Sequence, residues 1–331
     1  MNYIGSKLKL SSWIKEEIIK TVGSNLKEKI FCDLFAGTGI IARSFKKECK
    51  EIIANDIEYY AYVLNQNYIG NHKDLDKKLE YIKELNELAP IENGFIYQNY
   101  CSPANRLYFS DRNGQKIDAI RVAIEQYKDD KELYYFLLAS LIESSDKVAN
   151  TASVYGAFLK KLKKSAQKEF VLEPALYEES SSLHRVYQAD ANSLIKKIQG
   201  DILYLDPPYN HRQYGANYHL LNTIAEYKVF MPKGVSGLRE YYKSPYCRKK
   251  EVLERFSELI ANAQFEYIFL SYNNEGLMQK EQIEAIMSRY GEYSLVTKEY
   301  QRFKADKNEN RKHKASKTYE YLHILKREKQ W

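Results

Sequence analysis

The sequence predicts an α/β fold: a mostly parallel sheet flanked by helices, with a mainly helical domain inserted into it. Three observations carry that expectation. Short apolar runs of strand length recur at KIFCDLF (Lys29 to Phe35), EIIAND (Glu51 to Asp56), HRVYQAD (His184 to Asp190), DILYLD (Asp201 to Asp206) and EYIFLSY (Glu266 to Tyr272), and the first four end near an acidic residue. Helical periodicity separates the earlier runs, as parallel strands joined by right-handed crossovers require. Between Glu58 and about Leu183 this rhythm stops, and the chain becomes polar and mostly helical with no strand of the core type.

Taken in order, the amphipathic start MNYIGSKLKLSSWIKEE leads into a helix from about Ser12 to Thr21, with Trp13, Ile14, Ile18 and Ile19 on its inner side. The first strand runs into DLFAGTGIIA, where Gly37, Gly39 and Ala42 fit the G-x-G-x-x-G/A turn of dinucleotide folds. The second ends in Asn55-Asp56. The insert, 59–183, contains ELYYFLLASLIESSDKV and then TASVYGAFLKKLKK, which leaves 1–58 and 184–331 for the core. YSLVTKEY and TYEYLHIL close the chain as a β-hairpin around a basic stretch.

Composition excludes several classes. With 331 residues, 44% hydrophobic and 29% charged, the chain can bury one large or two modest cores, so disorder is not the default. No apolar run reaches membrane-spanning length and the N-terminus lacks the pattern of an export signal, so a soluble cytoplasmic protein is expected. Cys32, Cys49, Cys101 and Cys247 form no CxxC pair and the histidines show no ligand spacing, so neither a disulfide framework nor a metal site is expected. The net charge of +7 concentrates at Lys160 to Lys164, Arg248 to Lys250 and Lys298 to Lys317, interleaved with many of the 30 tyrosines. Such clusters suit a polyanion, although lysine runs are as often plain solvated faces.

The glycine turn alone fits nicotinamide cofactors, flavins or S-adenosylmethionine, since each needs close approach to backbone N–H groups. Asp33 narrows the choice. A carboxylate just ahead of the turn repels pyrophosphate but attracts the amino and sulfonium charges of S-adenosylmethionine. Asp56 can accept ribose hydroxyls, and Asp190 an adenine amino group; singly, each aspartate is as readily a helix N-cap.

The fourth strand continues as ILYLDPPYNHRQYG, Ile202 to Gly215. Prolines stop strands, but that does not account for Asp206 and Tyr209 at a strand's carboxyl end, where open α/β sheets place ligand contacts. Together with Phe35-Ala36-Gly37-Thr38-Gly39 and the segment Asn2-Tyr3-Ile4-Gly5-Ser6-Lys7, this Asp206-Pro207-Pro208-Tyr209 run resembles the S-adenosylmethionine-dependent DNA adenine-N6 methyltransferases of the Dam-like (alpha) group, including the FokI-type modification enzymes. The resemblance implies a Rossmann-like class I methyltransferase core, with a mostly parallel seven-stranded sheet and a C-terminal antiparallel hairpin. It implies cofactor contacts at Tyr3, Lys7, Asp33, Phe35, Gly37, Gly39, Asp56, Asp190 and Asp206. It also implies a catalytic run Asp206, Pro207, Pro208 and Tyr209, in which the Asp206 carboxylate and the Pro207 carbonyl, held in place by the fixed φ of proline, clamp an exocyclic amino group and Tyr209 stacks on a flipped-out base.

The same resemblance makes 59–183 a target-recognition domain for double-stranded DNA, with a cognate restriction endonuclease as an independently acting partner. Arg212, Tyr214, Lys160, Lys161, Arg248, Lys249, Arg311 and Lys312 are the candidate DNA contacts, and Met231 to Lys250 a second DNA-facing loop. His211 and His219 are DNA-facing or structural. Cytosine-N4 methylation remains open, because the clamp serves any amidine-like amino group. A nicotinamide dehydrogenase fits the glycines but not Asp33, and a non-catalytic nucleic-acid-binding protein has no use for both sites.

Overall fold

The computed structural model describes residues 7–70, 75, 77–301 and 317–327. They form two compact units. An α/β unit takes Lys7–Ile57, Ser182–Gln213 and Lys243–Trp331, and a helical unit takes Glu58–Ser181 and Tyr214–Tyr242.

The α/β unit is a seven-stranded sheet of order β3-β2-β1-β4-β5-β7-β6, with β1 at Ile30–Asp33, β2 at Glu51–Asn55, β3 at Arg185–Tyr187, β4 at Gln199–Leu205, β5 at Gln264–Asn273, β6 at Glu292–Gln301 and β7 at Lys317–Lys326. The first five are parallel neighbours, and β7 lies antiparallel between β5 and β6. Ile202, Leu203, Tyr204 and Leu205 are all buried, as expected for a parallel strand covered on both faces. One layer of that cover is the helix Val252–Asn262, whose Val252, Phe256, Leu259 and Ile260 fall at the i, i+4, i+7, i+8 spacing of a single face and pack into the core beside Leu203, Leu205 and Ile268. Each such burial contributes about 1.5–3 kcal/mol.

The strand order reverses at β1. The chain runs from β1 outward through β2 to β3, then returns to place β4 on the other side of β1. Loops therefore diverge at the carboxyl ends of β1 and β4, which is where such sheets open a crevice. The expected strand HRVYQAD shortens to Arg185–Tyr187 at the sheet edge, because side chains take over the pairing on either side. The His184 ring nitrogen accepts the Ile52 N–H at 3.0 Å, and Asn55 binds both backbone groups of Ala189.

The helical unit contains Lys131–Val148, which starts under an Asp130 N-cap, and Asp111–Ile124, which starts under Ser110. Contrary to expectation, the chain from Ala149 to Ser181 forms no helix. Side-chain amides and hydroxyls compete with helical bonding there by satisfying the backbone of a strap. Asn150 donates to the carbonyls of Leu107 and Leu159 and accepts from Lys163 N–H. Further along, Asn113 binds Phe170, Asn86 binds Leu172, Ser144 binds Glu173 and Ser140 binds Ala175.

Tyr214–Tyr242, assigned to the core on sequence grounds, packs instead in the helical unit. The buried Arg121 guanidinium donates to the carbonyls of Ile224 and Ala225, His219 meets the Tyr155 carbonyl at 2.9 Å, and the Tyr227 hydroxyl donates to Asp118. Polar anchors of this kind have no sequence periodicity, so the return of the chain left no signal.

Candidate active site

The register of β1 against β4 aligns Asp33 with Tyr204, so Asp206 emerges two residues later, just past the end of the adjacent strand. Between β1 and the helix Ile40–Phe45 the chain turns through Gly37 and Gly39 at φ +53° and +72°, a left-handed conformation that favours glycine. The Gly37 N–H donates to the Asp56 carboxylate at 2.8 Å. Asn55 locks three loops together: its amide donates to the carbonyls of Leu34 and Ala189 and accepts the Ala189 N–H, all at 3.0–3.1 Å. Its position between strand and acidic residue gave no sign of this role.

Asp33 is 1% exposed, and its Oδ1 has no hydrogen-bond partner among the described residues. Burial, reinforced by the charges of Asp206 and Asp56, raises its carboxyl well above the usual range, while the backbone at Ala42 and Phe35 pulls the other way. An orphaned carboxylate oxygen in the fold's crevice is costly unless a cation or donor arrives.

On the β4 side the conspicuous feature is an ion-pair cluster. The buried Lys7 ammonium lies 3.1 Å from Asp206 and 2.8 Å from Glu320, and Glu320 also accepts the Ser271 hydroxyl at 2.7 Å. Burial alone would lower the Lys7 pKa, but Asp206, Glu320 and Tyr204 raise it well above its ordinary value, so it stays charged. Burial pushes Asp206 up to about 6; Lys7 opposes that rise and Glu320 adds to it. Lys7 thus faces the Asp-Pro-Pro-Tyr carboxylate. Glu320 was missed by the sequence reading, although the two-residue period of TYEYLHIL puts it in phase with the buried Leu322 and Ile324.

Pro207 is buried beyond β4, and Pro208 is partly so. Tyr209 is half-buried against the core, with its carbonyl accepting the Leu277 N–H at 2.9 Å. Phe35 packs edge-on to Tyr246, with ring centroids 5.1 Å apart. Asp190 caps the short helix Ala191–Leu194 through the Ser193 N–H, so one of its oxygens serves structure.

The DNA-contact candidates divide. In the α/β unit Arg212 is exposed, Lys249 is exposed, and Arg248 pairs with Glu251 at 2.7 and 3.0 Å, which offsets its charge locally. In the helical unit Lys160 and Lys161 are exposed, whereas Tyr214 stacks on Tyr218. His211 is exposed, while His219 is fully buried and lowered to about 4, chiefly by burial, so it serves the packing of that unit. Tyr3, Arg311 and Lys312 lie outside the described residues.

A mixed sheet of this order, with acidic strand ends around a glycine turn and an Asp-Pro-Pro-Tyr exit, defines the class as methyltransferase. The profile described as "D12 class N6 adenine-specific DNA methyltransferase" matches residues 3–286, and the chain belongs to that family. Among its relatives, it is 62% identical to Type II methyltransferase M.NlaIII of Neisseria lactamica, over 99% of both chains. It is 41% identical to Type II methyltransferase M.CviAII of Paramecium bursaria Chlorella virus 1, over 92% of this chain and 93% of that one. It is also 37% identical to Type II methyltransferase M.FokI of Planomicrobium okeanokoites, over 99% of this chain but 53% of that one. Membership selects adenine N6 over cytosine N4 and sets aside the dehydrogenase and non-catalytic readings.

Proposed function

We propose that this adenine-specific DNA methyltransferase takes its methyl group from S-adenosylmethionine and delivers it to a base flipped out of double-stranded DNA. The observation that carries the reading is the orphaned Oδ1 of buried Asp33 beside the left-handed glycine turn, with the charge of Asp56 nearby and with Asp206 and Glu320 sharing the single ammonium of Lys7 in the described cluster. This set suits a positively charged ligand. S-adenosylmethionine, when bound, supplies a methyl group on a cationic sulfur.

The chain's own residues then have distinct tasks. Asp33 accepts hydrogen bonds from the donor's amino group, Asp56 from its ribose, and Asp190 from its base. Phe35, Gly37 and Gly39 give it a close-fitting wall. Asp206 and the Pro207 carbonyl accept the adenine amino hydrogens, which favours a tetrahedral nitrogen whose lone pair is free for attack. Pro208 fixes the turn and Tyr209 offers a stacking face to the extruded base. The helical unit, with Lys160 and Lys161, reads the DNA target; Arg212 and Lys249, and Arg248 once its pair with Glu251 opens, hold phosphates. As with the Type II relatives, we place the protein in a cytoplasmic restriction-modification system whose endonuclease is a separate partner.

Calorimetric titration with S-adenosylmethionine tests the donor. Wild-type protein should bind it, Asp56→Ala should bind about tenfold more weakly, as expected for losing hydrogen bonds to a charged group, and Asp206→Ala should bind yet fail to methylate. Absence of binding by the wild type would exclude this donor.

A further inference from the structure

We propose that Glu320 is a positioning residue for methyl transfer, holding Lys7 in a shared ion pair so that Asp206 keeps its strength as an acceptor for the adenine amino group. The proposal rests on the reading of Asp206 as the amino clamp, and extends it to a residue on β7 beyond the span 3–286 that matches the family.

The geometry is specific. Glu320 is 4% exposed, and its Oε1 accepts from both Lys7 and Ser271, so strands β5 and β7 fix the oxygen that competes with Asp206 for the ammonium. Lys7 is closer to Glu320, at 2.8 Å, than to Asp206, at 3.1 Å. A carboxylate with a lysine to itself is well neutralised and a poor acceptor; two carboxylates sharing one lysine keep a net negative charge between them. The groups that bear on Asp206 are Lys7, Glu320, Asp33 across on β1, Tyr204 on β4 and Tyr209 just downstream, with Glu275 acting on Tyr209. Among them Lys7 alone is cationic. Glu320 is therefore the lever that sets how much of that cation Asp206 receives.

A purely structural Glu320 would only satisfy Lys7 and Ser271, and glutamine can do the same through its carbonyl oxygen. Charge is what Glu320→Gln removes. The test is the pH dependence of single-turnover methyl transfer to duplex DNA by the full chain, for wild type, Glu320→Gln, Lys7→Met and Asp206→Ala, with melting curves to establish folding. The acid limb should move down by about one pH unit in Glu320→Gln, with a severalfold lower plateau and unchanged affinity for DNA. In Lys7→Met it should move up. An acid limb in Glu320→Gln that coincides with the wild type, or moves up, overturns the proposal, as does a Lys7→Met limb that stays in place. Transfer by Asp206→Ala would instead overturn the clamp on which the proposal rests, and the two failures are distinguishable.

Discussion

At the residue scale, the site is built from groups that cost stability where they stand. Asp33 has a folded-state pKa above its unfolded value, so the folded chain binds more protons in the interval between them and loses stability as pH rises through it. Replacing it with asparagine removes that cost together with the negative charge that, in the proposed function, meets the cationic donor. We expect Asp33→Asn to melt higher, by about 1–2 °C for each kcal/mol recovered in a chain of this length, and to bind S-adenosylmethionine about tenfold more weakly; thermal melting and calorimetry read the two effects. Asp206 must be ionised to accept an amino hydrogen. With its carboxyl at about 6, single-turnover transfer should be full near pH 8 and decline as pH falls through 6. An acid limb near pH 4 would show that Asp206 titrates as an ordinary carboxyl. The aspartates were legible in the sequence because strand ends and glycine turns carry local signals. Lys7 and Glu320 are separated by more than 300 residues and meet only through tertiary structure, so no spacing could pair them.

At the element scale, the position of each strand was legible to within a few residues, because buried parallel strands write continuous apolar runs, while the edge strand Arg185–Tyr187 came out shortest against its expected run. EIIAND predicted Glu51–Asn55, and YSLVTKEY and TYEYLHIL predicted the antiparallel pair of β6 and β7. What escaped was structure held by side chains. The strap after Val148 carries apolar residues at mixed spacing and reads as helix, yet its backbone is bound by Asn150, Asn113, Asn86 and two serines. Asn55 does the same work for the loops that follow β1 and β3. Truncating it to alanine leaves the carbonyls of Leu34 and Ala189 and the Ala189 N–H without their partner, which should cost about 1–3 kcal/mol for each buried group left unsatisfied. Denaturant unfolding measures that loss, and weaker donor binding should accompany it because the Asp33, Asp56 and Asp190 loops share this tie.

At the scale of the whole molecule, the chain leaves the α/β unit twice to build the helical one. The first excursion was visible as a break in the strand rhythm, and the second was hidden because a short helix after an active-site loop also suits a core crossover. The two segments therefore form one folding unit and must be exchanged between relatives together. Glu58–Ser181 and Tyr214–Tyr242 interlock through Arg121 with Ile224 and Ala225, Asp118 with Tyr227, and Tyr100 with Gly237. A chimera that swaps only the first segment should be insoluble or melt far below the parent, whereas one that swaps both should fold; equal solubility of the two would show that the segments are independent.

The most direct test of the central claim is to incubate the purified protein with methyl-labelled S-adenosylmethionine and unmethylated duplex DNA, beside Asp206→Ala, and identify the labelled nucleoside. Wild-type protein should place label in N6-methyladenine, and the variant should place none. Label in another base, or equal N6-methyladenine from Asp206→Ala, would contradict that claim.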